Sequence, residues 1–304
     1  MIVLQDSDLL VRLDPAHGAE ILDLVDLRTG RQLLGRAPFG SELPRAGDLD
    51  EEAWTASYRG GWQLVAPSAG TPSTVGGDWH GFHGRASNDP WDVLDAGPRA
   101  ATLGWTGHGL RLERRLRLEG GALEVAVEAT ALDARVPLVA VEHCALGLEL
   151  IEPEVVIELP PGIAYEQDEV DGPPFPPAGA LLWPVVTLLD GTTERGDRWA
   201  LAEPRSRFLV VADLPEGRAV VRNPARRQAL ELTWDAAWLR HCWIWHEVRR
   251  YGGPWREHTE VLVVEPASVP HSMGLAAAVE HGHATWLDAG ASTGYTLAAR
   301  PLRG

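Results

Sequence analysis

Three short segments of this chain carry side chains suited to moving protons. In Val261-Leu262-Val263-Val264-Glu265-Pro266, four apolar residues run straight into a carboxylate at the end of an expected strand. Apolar surroundings raise a carboxyl pKa toward the range useful to a general base. The second segment, Val136 to Gly147, holds Glu142-His143-Cys144. Strand alternation puts His143 on the face of Val139 and Val141 and sends Glu142 to the other face. Burial without a charge would hold that imidazole neutral, whereas a nearby carboxylate would favour the protonated form and make it an acid usable near pH 7. The third segment begins Gly60-Gly61-Trp62-Gln63 and is followed by His83-Gly84-Arg85. Glycine beside histidine lets the backbone turn tightly and leaves the ring accessible. His80, also followed by glycine, competes with His83. Each segment has a plainer reading, respectively a solvated strand-end glutamate, a satisfied core histidine and an exposed loop histidine.

Other chemistries find little support. All 27 basic residues are arginine, so Schiff-base catalysis and a Walker-type phosphate loop, which need a lysine amine, are excluded. The formal net charge of −16 repels phosphate backbones and anionic membrane surfaces, so neither nucleic acid nor membrane is an expected partner. Cys144 and Cys242 are too few for a disulfide framework and read as buried thiols. The pairs His143-Cys144 and His241-Cys242 suggest a metal, but neighbours on a strand point to opposite faces and rarely share one ion, so no metal site is expected. The N-terminus lacks a basic start followed by an apolar run, and no stretch approaches the roughly 18 apolar residues of a membrane span. A cytoplasmic location is the expectation.

The elements that must position these residues are mostly strands. Leu110 to Leu118 places leucine at nearly every even position, Glu119-Gly120-Gly121 turns, and Ala122 to Glu128 resumes the two-residue period. The pair reads as an antiparallel hairpin with Arg114 on its apolar face, where it needs a partner. Further strands are expected at 20–25, 91–94, 136–143, 155–159, 207–212, 218–222, 230–234, 261–265 and 295–299. Only 272–279 reads as helix. Many short strands with hardly any helix point to a large sandwich or barrel, all-β. No shift in composition and no internal repeat divides residues 1–304, so one domain is expected. The glycine- and proline-rich stretches Ala66 to Gly77 and Pro160 to Ala180 are long loops, which in a compact β protein tend to be functional. Tryptophan outnumbers phenylalanine and tyrosine, at 13 against 4 each. Trp62, Trp79, Trp91, Trp183, Trp243, Trp245 and Trp255 stand beside expected loops, where indole could stack on the C–H face of a sugar or simply anchor core and rim.

Taken in order, GGWQ with PSAG, HGRASNDPW, EHCALG, CWIWHE and LVVEPASVPHSMGLAAAVEHG resemble the aldose 1-epimerase, or galactose mutarotase, superfamily over nearly the whole chain. The resemblance implies a large antiparallel β-supersandwich that interconverts the α and β anomers of a monosaccharide or related carbohydrate without a cofactor. It further implies that Glu265 is the general base for the anomeric hydroxyl, that His143 is the general acid for the ring oxygen, and that His83 helps to hold that oxygen. Arg85, Gln63, Trp62 and Trp245 are the implied sugar contacts, with Asp190 in Leu188-Leu189-Asp190-Gly191 as the hydroxyl-binding aspartate. Relatives often have proline after the second histidine, where this chain has Cys144, a departure that bears on which sugar is taken. The other class to weigh is a non-catalytic carbohydrate-binding or regulatory protein on the same scaffold, because fold does not fix activity.

Overall fold

Alternation decides the architecture. The hairpin forms as expected, Leu110–Glu119 pairing with Ala122–Ala131 so that Leu112 lies opposite Ala129 and Leu116 opposite Val125. Its leucines are buried, and the arginines and glutamates between them face outward, apart from Arg114. The computed structural model describes residues 1–37, 45–167, 176–202, 204–249 and 259–303. Trp255 and residues 168–175 of the Pro160 to Ala180 loop lie outside the described residues.

Among the described residues, two large sheets face each other. One has 13 strands and runs from Ile2–Gln5 at one edge, through Leu9–Asp14, Glu20–Asp26, Trp62–Val65, Val141–Leu146, Glu260–Ala267, His241–Val248, Arg205–Ala212 and Ile163–Glu166, to Val185–Thr187 and Thr193–Arg195. The other has nine, and its order places Ser292–Arg303 between Gln228–Trp234 and Ala122–Ala131. Pairing is antiparallel in both, except where Ile163–Glu166 meets Val185–Thr187. This is the all-β sandwich expected from the sequence. Three short α-helices accompany it among the described residues, Glu51–Ser57, Leu148–Ile151 and Gly274–Glu280, and only the last was expected. No described helix is long and apolar enough to cross a membrane.

The main core fills the space between the sheets. Trp62, Leu64, Cys144, Leu146, Ile244, Leu262 and Val264 come from the first sheet and meet Leu103, Leu112, Leu116, Val125, Leu232 and Leu297 from the second. Glu142 points into this core, and it supplies the partner that Arg114 requires. Arg114 Nη2 donates to Glu142 Oε2 at 2.8 Å, Trp62 Nε1 to the same oxygen at 2.7 Å, and the Tyr295 hydroxyl to Oε1 at 2.9 Å. Arg114 Nη1 also donates to the Ala19 carbonyl at 3.2 Å. Burial nevertheless outweighs the arginine and pushes the Glu142 carboxyl up. A buried pair tolerates this cost only when its remaining polar atoms are well bonded.

Candidate active site

Residues that alternate with the core-facing ones occupy the other face of the first sheet. There Val65, Val141, Trp243 and Ala267 form one apolar cluster, and Ala145, Val261 and Val263 form another with Trp54, Tyr58 and Phe82. Period-two geometry sends Gln63, His143 and Glu265 to this same face. Register then aligns them. Gln63 is opposite His143. Val141 opposite Ala267 and Cys144 opposite Val264 set His143 across from Glu265. Glu265 is opposite Trp243 on its other side. Four residues far apart in the chain therefore form one row across four adjacent strands. Directly opposed residues hold their Cβ atoms about 5 Å apart, so the carboxylate and the imidazole are neighbours.

His83 joins them from a loop. Its N–H donates to the Gly70 carbonyl at 3.1 Å, and the Gly70 N–H donates to His83 Nδ1 at 3.1 Å. An imidazole that accepts at Nδ1 carries its proton on Nε2 when neutral. Gly84 follows with φ of 69°, and a Cβ there would lie 2.4 Å from the Ala66 carbonyl oxygen, so only glycine permits this approach. The His83 and His143 rings are 6.0 Å apart between centroids. Helix Glu51–Ser57 and its C-cap supply a wall: Trp54 lies 4.5 Å from the His83 ring, and Tyr58 5.5 Å from that of His143. Trp54 is fixed in turn by an Nε1 hydrogen bond to Ser87 Oγ at 3.1 Å.

Burial sets the electrostatics. It lowers the His143 pKa to about 4 and drives that of His83 well below the ordinary value, with the His143 ring adding to the effect. Both rings are neutral at pH 7, so of the two possibilities for His143 the structure takes the neutral one. Burial, reinforced by the nearby Glu265 carboxylate, raises Tyr58 well above its usual value, so its hydroxyl keeps its proton. Glu265 itself is buried.

The structure brings Glu265, His143, His83, Gln63 and Trp245 together, the Trp245 ring lying 6.5 Å from that of His143. Trp62 is not with them. It faces the main core and hydrogen-bonds Glu142, so stacking on a sugar is excluded. Asp190 is not with them either: it is exposed at a turn on the far strands of the sheet, its Oδ1 taking the Thr192 N–H at 2.9 Å and hydroxyl at 2.6 Å. Arg85 follows His83 by two residues, with its guanidinium paired to Asp89 at 2.8 Å. The alternative histidine, His80, packs against His108 at 4.2 Å instead. No three His, Cys, Asp or Glu side chains among the described residues are arranged to hold a metal ion.

No protein-family model matches the chain, and no curated protein matches it by sequence. Solved structures do. A Synechocystis protein superimposes with a TM-score of 0.71 at 16% identity, over 99% of this chain and 95% of its own. A candidate aldose 1-epimerase of Escherichia coli K12 gives 0.69 at 14% identity, over 100% and 99%. A galactose mutarotase-like protein of Lactobacillus casei gives 0.68 at 16%, over 99% and 100%. The chain has the galactose mutarotase-like fold. Within that fold, sequence reading missed Trp54 and Tyr58 as parts of the site. Their signal was present in Asp50-Glu51-Glu52, an N-cap followed by two acidic residues, which is a helix start.

Proposed function

We propose that this protein is an aldose 1-epimerase-like isomerase that interconverts the α and β anomers of an aldose by opening and reclosing the ring. The observation that carries this reading is the placement of Glu265 and His143 on facing positions of adjacent central strands, with the His83 ring 6.0 Å from that of His143. Ring opening turns the anomeric oxygen into a carbonyl and puts negative charge on the ring oxygen. A carboxylate on one side of the C1–O5 unit takes the hydroxyl proton, while a neutral imidazole on the other side supplies an N–H to the ring oxygen. A neutral imidazole donor of this kind works where its pKa has been lowered by its surroundings. After rotation about C1–C2 the same groups act in reverse, so two proton transfers open the ring and two more close it. Trp245, on the same strand as Trp243 and beside the His143 ring, offers apolar surface to the sugar's C–H groups.

The test is anomer exchange followed by NMR across free aldoses, sugar phosphates and acidic sugars. One of them should exchange faster with the protein present, and Glu265→Gln should reduce the acceleration by about 100- to 10,000-fold, the span of general acid–base assistance. Saturable sugar binding with no faster exchange of any member would instead make the protein a carbohydrate-binding module.

A further inference from the structure

Gln63 and His143 face each other from neighbouring strands, both withdrawn from water. Each has one buried polar atom without a hydrogen-bond partner among the described residues, Oε1 of Gln63 and Nδ1 of His143. The Gln63 amide is not free to turn. Its Nε2 donates to Glu20 Oε2 at 3.3 Å, a carboxylate that also pairs with Arg59. An ionised carboxylate can only accept, so the amide nitrogen of Gln63 faces Glu20 and the carbonyl end is turned away from it. The His143 ring also contacts its own main-chain carbonyl, which favours a proton on the ring. Nδ1 is the only ring nitrogen close enough to its own backbone to make that contact. Nδ1 of His143 therefore has its own carbonyl as an acceptor, the residue directly opposite carries a second in the unpartnered Gln63 Oε1, and no hydrogen-bond donor meets it among the described residues. At His83 the surroundings are reversed, because its Nδ1 receives the Gly70 N–H.

We infer that Gln63 is a positioning residue that fixes His143 as the Nδ1–H tautomer, so that His83 and not His143 presents the proton to the ring oxygen. A small rotation of the His143 ring or one bridging water joins Gln63 Oε1 to His143 Nδ1 and satisfies both buried atoms. The catalytic part of this assignment rests on the ring-opening reaction proposed above; the tautomers do not. In that reaction Glu265 takes the anomeric hydroxyl proton and the C1–O1 bond becomes double. The electron pair of the breaking C1–O5 bond passes to O5, which takes the Nε2 proton of His83 and leaves that ring an imidazolate held at Nδ1 by the Gly70 N–H until closure. The bare Nε2 of His143 accepts a hydrogen bond from the new O5 hydroxyl. Closure on the other carbonyl face returns the one proton to His83 and the other from Glu265 to O1.

Long-range proton–nitrogen NMR of the imidazoles at neutral pH tests the assignment, with His83→Gln and His143→Gln identifying the signals. His143 should show a protonated Nδ1 and His83 a protonated Nε2. Gln63→Met keeps the side-chain length but removes the acceptor. It should move His143 toward the Nε2–H form, leave His83 unchanged, and lower kcat for anomer exchange about fivefold with KM nearly constant, as expected for one hydrogen bond. A wild-type His143 protonated on Nε2, or His143 signals unaltered in Gln63→Met, would overturn the inference. The wild-type spectrum decides even if the variant fails to fold. If no sugar is exchanged, the proposed reaction fails and His83 loses its catalytic role, while the spectra still decide the part played by Gln63.

Discussion

Arg114→Met should cost the protein about 3–5 kcal/mol, as removal of one partner from a buried ion pair does. The lower end is expected, because Glu142 keeps two of its three side-chain donors, Trp62 and Tyr295, and can also take up a proton. Set against the roughly 5–15 kcal/mol by which proteins are stable, the loss is easily measured by urea denaturation. Its pH dependence has a defined sign. Burial raises the folded Glu142 pKa above the ordinary 4.5, and removing the guanidinium raises it further. Between those values the native state holds the extra proton, so stability falls as pH rises through that window. The deficit of Arg114→Met should therefore be larger at pH 8 than at pH 5. Adding Glu142→Gln should recover part of it, since the buried charge is then gone. A loss below 1 kcal/mol at both pH values, or a double variant less stable than Arg114→Met alone, would refute the reasoning.

Acid should destabilise the protein well before its carboxylates titrate. Burial lowers His143 to about 4 and His246 to about 3, from 6.5. The stability tied to each is complete above 6.5 and is lost as pH falls toward the folded value, roughly 3 kcal/mol or more per residue; a flat urea midpoint from pH 7 to 4.5 would contradict this. Gly70→Ala should both destabilise the fold and cripple anomer exchange, because a Cβ there would sit 1.5 Å from the Ser272 carbonyl oxygen at a φ of +80° and would displace the N–H that holds His83. Thermal melts and the exchange assay check it, and a variant with native stability and rate would contradict it. Asp190→Ala should leave exchange within twofold of the native rate, since its carboxylate serves an exposed turn; a large rise in KM would show otherwise.

Strand positions were legible because one face of each strand is apolar and the other is not. The hairpin of residues 110–131 and the opposite-face placement of Glu142 follow from that pattern alone. Trp62-Gln63-Leu64-Val65 was not legible in this way, since an apolar residue lies on both faces and alternation could not say which side Trp62 takes. The row joining Gln63, His143, Glu265 and Trp243 depends on register between strands 80, 122 and 22 residues apart, which no local pattern encodes. Asp190 misled because Asp-Gly suits a turn as well as a binding loop. Helix Glu51–Ser57 was overlooked for its brevity, although its capping residues were in plain view.

The placement of Ser292–Arg303 between Gln228–Trp234 and Ala122–Ala131 bears on how the molecule comes together. Until that segment leaves the ribosome, the nine-stranded sheet is two separate halves, each with an unpaired edge that invites a wrong neighbour. Long-range pairing of this kind is slow to form, so the nascent protein waits with the edges of Gln228–Trp234 and Ala122–Ala131 unpaired. Its synthesis should therefore depend on chaperones more than its final stability would suggest.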